Sequence, residues 1–329
     1  MDQTVIIKKI LSANFCGDIF ERDEAKIKER YREYAKYVHP DICTDPKATE
    51  AIQKLNKFYE SALSCISAGT WEETNKLYTD SVNGLAYRHY KVFELGVRYV
   101  SNDWVTYILS SKYDKFVDNF KKMSGYSSVL KASNLEKHFG YKVPGKATVT
   151  NRTISIPKRP LDFPMDAFLS AYQDKLTAQD IAWMISRMCD LLCAFSYMNV
   201  VTNSIKPENL FINTETHEIC MFGGWWYASE INGPLIGTTK DIFSLMPNSA
   251  KTDKKGSLIT DAESVKAMFR EIVKGKKDIP RPMIEWLNSG SSDDPVAEFN
   301  RWDTALTNSF GNRRFVEFKA DADIVYGDK

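Results

Sequence analysis

The chain has 329 residues, 43% hydrophobic and 26% charged, with 44 lysines and arginines against 43 aspartates and glutamates. That length suits two folding units, and a formal net charge of +1 excludes a global pull toward nucleic acid or an anionic membrane, so any electrostatic partnership must be local. The six cysteines, Cys16, Cys43, Cys65, Cys189, Cys193 and Cys220, form no C-x-x-C pair, which argues against a zinc ribbon or a dense disulfide framework and for a reducing, cytoplasmic setting.

At the N terminus Met1-Asp2-Gln3 lacks the basic start of a signal peptide, and no run of about 18 apolar residues occurs anywhere, so a soluble protein is expected. Thr4 to Leu11 reads as a short helix burying Ile6, Ile7 and Ile10. From Asp23 to Val38, Ile27, Tyr31, Tyr34 and Val38 recur at helical spacing and predict one buried face. Lys28, Arg32 and Lys36 form an i, i+4 row on another face, joined by Lys26 and Arg30. Such a row is either a solvated face or a contact stripe. His39-Pro40 ends this helix, because the residue before a proline is pushed out of the helical region. Asp45 and Pro46 predict the start of a second helix, as N-cap and first helical residue, with Ile52, Leu55, Tyr59 and Ala62 on its apolar face.

The string from Tyr31 to Asp41, with Leu55-Asn-Lys-Phe-Tyr-Glu-Ser-Ala62 after it, resembles the J domain of DnaJ co-chaperones over residues 1–68. The resemblance implies that His39, Pro40 and Asp41 contact the ATPase domain and linker of a DnaK-type chaperone, while Lys28, Arg32 and Lys36 steer the encounter. Taken alone, His39 is equally a helix C-terminal histidine complementing the dipole, and Asp41 a turn former. The Gly/Phe-rich segment and cysteine repeats of full-length DnaJ are missing, so client choice falls to residues beyond 68.

Residues 69–86 read as a packed connector containing Trp71, Leu77 and Tyr78. Strands are expected at Tyr90 to Leu95, Trp104 to Leu109 and Thr148 to Ile156, with a helix from Lys115 to Met123. Val143-Pro144-Gly145-Lys146 reads as a turn joining two of those strands. Thr177 to Asp180 has the capping-box pattern and opens a long helix through Ile181, Ile185, Met188, Leu192 and Phe195. Cys189 and Cys193, four apart on it, read as small core residues.

Lys206-Pro-Glu-Asn209 and then Met221-Phe222-Gly223 resemble the catalytic loop and Asp-Phe-Gly segment of protein kinases. Asp261 resembles the aspartate that braces that loop from below. The fold class implied is α+β: a helical hairpin, then a bilobal kinase-like domain with a small β-rich lobe at 87–165 and a helical lobe at 166–329. Ser204 stands where the family has its catalytic base and Met221 where it has a magnesium-binding aspartate; neither residue type can do that work. Lys112 is the best stand-in for the nucleotide-pairing lysine, without a glutamate in Lys115 to Met123 to pair with it, and is otherwise a solvated strand-end lysine. Lys206 and Asn209 match positions that contact substrate, phosphate or metal. The expectation is a pseudokinase with no cofactor, no nucleic-acid partner and no membrane partner.

Trp225-Trp226-Tyr227 is either an exposed hot spot or core, and Arg313-Arg314 either an acidic-partner site or plain surface. Fusions of this small size look like phage or other viral proteins, so the chaperone would belong to a host cell. Two alternatives stay open: an atypical ATP-binding enzyme using acidic residues such as Asp190, Asp241 or Asp253, or a decoy that occupies the chaperone.

Overall fold

In the computed structural model, residues 3–13, 16–39, 41–69, 71, 78–80, 83–311 and 317–327 are described. The chain divides into two units, Met1–Arg88 and His89–Lys329. Among the described residues no helix is long and apolar enough to cross a membrane.

The first unit is built on α1 (Gln3–Ser12), α2 (Glu24–Val38) and α3 (Ala48–Ala68). Asp23 caps α2 by accepting the Lys26 amide at 2.9 Å, and His39 leaves the helix in extended backbone. The start of α3 differs from expectation. Asp45 accepts the amide of Lys47, two residues on, so it closes a turn containing Pro46, and the helix begins at Ala48. Gly69 ends α3 at φ 69°, in the left-handed region that glycine adopts without strain. Ile6, Ile7 and Ile10 of α1 are buried with Ile27, Tyr34 and Val38 of α2 and Leu55 and Ala62 of α3. Tyr31 and Tyr59 stack at 4.2 Å on the rim of that core. Cys16, Ile19, Phe20 and Trp71 complete the core. A two-stranded antiparallel ribbon, β1 (Tyr78–Asp80) with β2 (Leu85–Tyr87), closes the described part of the unit.

The second unit opens with β3 (His89–Phe93), β4 (Gly96–Val100) and β5 (Trp104–Leu109), then α4 (Asp114–Ser124) and the short helices α5 (Val129–Ala132) and α6 (Glu136–Phe139). Next come β6 (Thr148–Thr150) and β7 (Thr153–Pro157), completing an antiparallel sheet of order β3-β4-β5-β7-β6. Strand β4 has no counterpart among the expected strands. Its Gly96 packs so close to β5 that a Cβ would collide with the Ile108 carbonyl. The turn at 143–146 precedes β6 and follows α6, so it does not join two strands.

The remainder is mainly helical: β8 (Phe163–Pro164), α7 (Met165–Tyr172), α8 (Ala178–Tyr197), β9 (Val200–Val201), β10 (Leu210–Asn213), β11 (Glu218–Met221), β12 (Ser229–Glu230), α9 (Lys240–Leu245), α10 (Asn248–Asp253), α11 (Leu258–Val273), α12 (Arg281–Asn288), α13 (Pro295–Phe310) and α14 (Ala322–Tyr326). Helix α8 carries the expected capping box, with Thr177 and Asp180 bonding each other's backbone. Ile181, Ile185, Met188, Cys189, Leu192 and Phe195 are buried in the main core, whereas Cys193, also read as core, is half-buried. The fold class is thus mixed helix and antiparallel sheet, as expected.

Candidate functional site

In the first unit the turn after α2 carries the candidate loop. His39 and Asp41 have half-exposed and fully open side chains, at 50% and 85%, while Pro40 lies outside the described residues. The carbonyl of His39 accepts the amides of Ile42 and Cys43, both at 2.9 Å, and this folds the turn tightly. His39 Nδ1 accepts the Asp41 amide at 3.2 Å. A neutral His39 ring that accepts this amide on Nδ1 carries its proton on Nε2. On α2, Lys28 pairs with Glu24, Lys26 with Glu21, and Arg30 with Glu21 and Glu33. Arg32 and Lys36 are exposed and have no ion-pair partner among the described residues. The stripe narrows to these two available cations. Ile42, beside Asp41, is 63% exposed and was not anticipated from sequence.

In the second unit, the loop between β9 and β10 is held from below by Asp261 of α11. One carboxylate oxygen accepts the Thr202 amide at 2.7 Å and its hydroxyl at 3.0 Å; the other accepts the Asn203 amide at 2.9 Å. Burial pushes the Asp261 pKa up to about 6, although all three hydrogen bonds oppose the shift. The Ser204 hydroxyl is turned inward, donating to the carbonyls of Thr202 and Gly224. Asn209 donates to the Ser204 carbonyl at 2.8 Å, and its own carbonyl accepts the amides of Phe222 and Gly223. Met221 is fully buried, pinned through its amide to the Lys142 carbonyl. Gly224, at φ 81°, leaves no room for a Cβ against Ser204. Ser204, Asn209, Met221 and Asp261 thus belong to one hydrogen-bonded and packed assembly around the loop. Lys112 lies elsewhere, exposed in a 3-10 turn after β5.

Side chains from the β3–β4 turn and the sheet pack against this loop. The turn between β3 and β4 brings Glu94 to Tyr227, whose hydroxyl donates to it at 3.0 Å, and to within 3.8 Å of the Lys206 ammonium. Burial works against that ammonium, but its contact with Glu208 at 2.6 Å prevails and raises its pKa. Phe93, Tyr107 and Trp226 form a closed aromatic group, with ring centroids 5.0–5.8 Å apart. The Tyr107 hydroxyl abuts Gly223, at 2.8 Å from where a Cβ would stand. Trp225, Trp226 and Tyr227 are all buried, so these aromatics are core and not an exposed patch. Asn119 of α4 holds them by donating to the carbonyls of Trp226 and Ala228.

Buried Arg98 of β4 ties the sheet to the helical part. It donates to the Glu208 carbonyl at 2.6 Å and to Asp166 of α7 at 3.0 Å, and Lys91 also reaches Asp166 at 2.6 Å. Burial works against the Asp166 carboxylate, yet Arg98 and Lys91 outweigh it and hold its pKa low. Tyr107, Asn119, Glu94 and Arg98 were all missed by motif reading. Glu94 and Tyr107 lay in expected strands and Asn119 in an expected helix, whereas Arg98 lay in a strand that was not expected.

No family model matches the sequence, and no curated protein does. Among solved structures, the chain is similar to one titled "Structure of vaccinia related kinase 3", at 12% identity and a TM-score of 0.41, over 71% of this chain and 90% of that one. A TM-score below 0.5 at that identity is too weak a likeness to carry function.

Proposed function

We propose that this chain is a J-domain-type co-chaperone whose second unit is a kinase-like platform that binds a client or partner without phosphoryl-transfer chemistry. The observation that carries the proposal is the exposed turn holding His39 and Asp41 at the end of a helix that presents Arg32 and Lys36. Two open cations fit steering toward an acidic surface, and the turn fits a short specific contact. The bound chaperone's ATPase is then stimulated because the contact favours one of its conformations. If the chain is viral, that chaperone belongs to the host.

For the second unit, the inactive reading is supported by what occupies the positions of the resemblance. Ser204 is a poor base and its hydroxyl is already committed to two carbonyls. Met221 offers only a buried thioether, a soft neutral ligand unsuited to magnesium. Lys206 lies 2.6 Å from Glu208 and 3.8 Å from Glu94, so its charge is answered by carboxylates rather than left for a phosphate. Asp190, Asp241 and Asp253, the alternative acids, lie on three different helices, and Asp190 is paired with Arg187 at 3.1 Å.

Steady-state ATP hydrolysis by a bacterial DnaK-type chaperone, with the intact chain and with its Asp41→Asn variant, tests the proposal. Stimulation by the intact chain that the variant loses is the expected result. Binding without stimulation would establish the decoy instead, and the absence of both would remove the co-chaperone reading.

A further inference from the structure

We propose that a cavity between the 140–146 segment and the end of β7 binds a small organic anion with an apolar ring as its body. The inference stands apart from the chaperone reading and from the 202–209 loop. The cavity measures about 230 Å³ and is walled by Tyr141, Val143, Ile156 and Pro157. Val143 and Ile156 are buried, so the inner wall favours an apolar body. Its size falls below the roughly 300 Å³ at which pockets for larger ligands begin, and it suits a single ring better than a nucleotide.

The polar rim is unbalanced toward positive charge. Arg159 lies 4.4 Å over the Tyr141 ring and spends its donors on Asp162 and Glu218. Lys142 stands 3.6 Å from Glu218. Lys142 and Glu218 lie behind the wall, and among the lining residues Lys146, Lys158 and Arg159 outnumber the carboxylate Asp162. Lys146, which also lines the cavity, is exposed and has no ion-pair partner among the described residues. The Lys158 ammonium rests on the carbonyls of Asn102, Arg159 and Pro160. The surplus therefore fits one acidic group held at the mouth by Lys146, with the ring against Tyr141 and Ile156.

Phenylacetate and its neutral isostere phenylacetamide, titrated into the full chain and followed by saturation-transfer NMR, test the assignment. Saturable binding of phenylacetate is expected, with the amide weaker by about tenfold, equal to about 1.4 kcal/mol. Lys146→Glu should weaken the carboxylate by at least as much and leave the amide unchanged; Lys146→Gln should fall between them. Absence of saturable phenylacetate binding would overturn the inference. So would equal binding of the amide, or indifference to Lys146 in variants whose melting matches the parent.

Discussion

Trp226 stacks on Phe93 with ring centroids 5.2 Å apart and planes 27° from parallel. Two segments far apart in the chain meet there. Truncation to Trp226→Ala should destabilise the chain by about 3–5 kcal/mol, read from urea unfolding, because a large buried ring is removed and the site cannot collapse fully. In the parent, millimolar magnesium-ATP should leave the melting temperature unmoved; a concentration-dependent rise would show that the aromatic group opens.

His89 and Asp261 should give opposing pH dependences of stability. Burial, then the neighbouring Arg98, lowers the His89 pKa from 6.5 to about 4, so the unfolded chain takes up this proton first and stability falls as pH drops from 6.5 toward 4. Burial raises Asp261 from 3.8 to about 6, so the folded chain takes up this proton first and stability rises as pH falls through 6 toward 3.8. In urea titrations, His89→Gln should reduce the acid-induced loss, and Asp261→Asn should remove the opposing gain. Asp261→Asn should also cost about 1–3 kcal/mol at neutral pH, since an amide N–H₂ would face an amide donor of the loop.

Lys266 and Glu298 form an ion pair at 2.8 Å with both side chains buried. Burial lowers the Lys266 pKa despite the opposing pull of Glu298. Removing one partner strands a charge, so Glu298→Gln is expected to cost about 3–5 kcal/mol, whereas the double change Lys266→Met with Glu298→Met should recover most of it. A loss in the double variant equal to the sum of the two single-variant losses, measured by denaturant unfolding, would show that the pair is not coupled.

His39→Gln and Asp41→Asn should each leave stability within about 0.5 kcal/mol, because both side chains are open to solvent. Each should nevertheless abolish stimulation of the chaperone. Arg32→Glu and Lys36→Glu should slow association rather than dissociation, with a deficit that shrinks as salt rises. Lys28→Glu should matter less, since Glu24 already engages that lysine.

Periodicity made α1, α2 and α8 legible, because each has one strong apolar face, and His39-Pro40 also marked where α2 stops. The N terminus of α3 was misplaced because Asp45 supports an Asx turn as readily as an N-cap, and only the position of the Lys47 amide distinguishes them. Strand β4 was overlooked because Gly96 at its start reads as a breaker, whereas close packing on β5 requires it.

Sequence alone determined the residue chemistry: which loop carries His39 and Asp41, and that Ser204 and Met221 lack the groups of a base and a magnesium ligand. It also set the local helices, whose hydrogen bonds close within a few residues. Tertiary structure decided which charges remain available and which space is empty. Arg32 and Lys36 stay open while their neighbours find carboxylates, Glu94 lands beside Lys206, and Phe93, Tyr107 and Trp226 converge from three segments. Those outcomes depend on contacts between residues far apart in the chain, which no local pattern of spacing encodes.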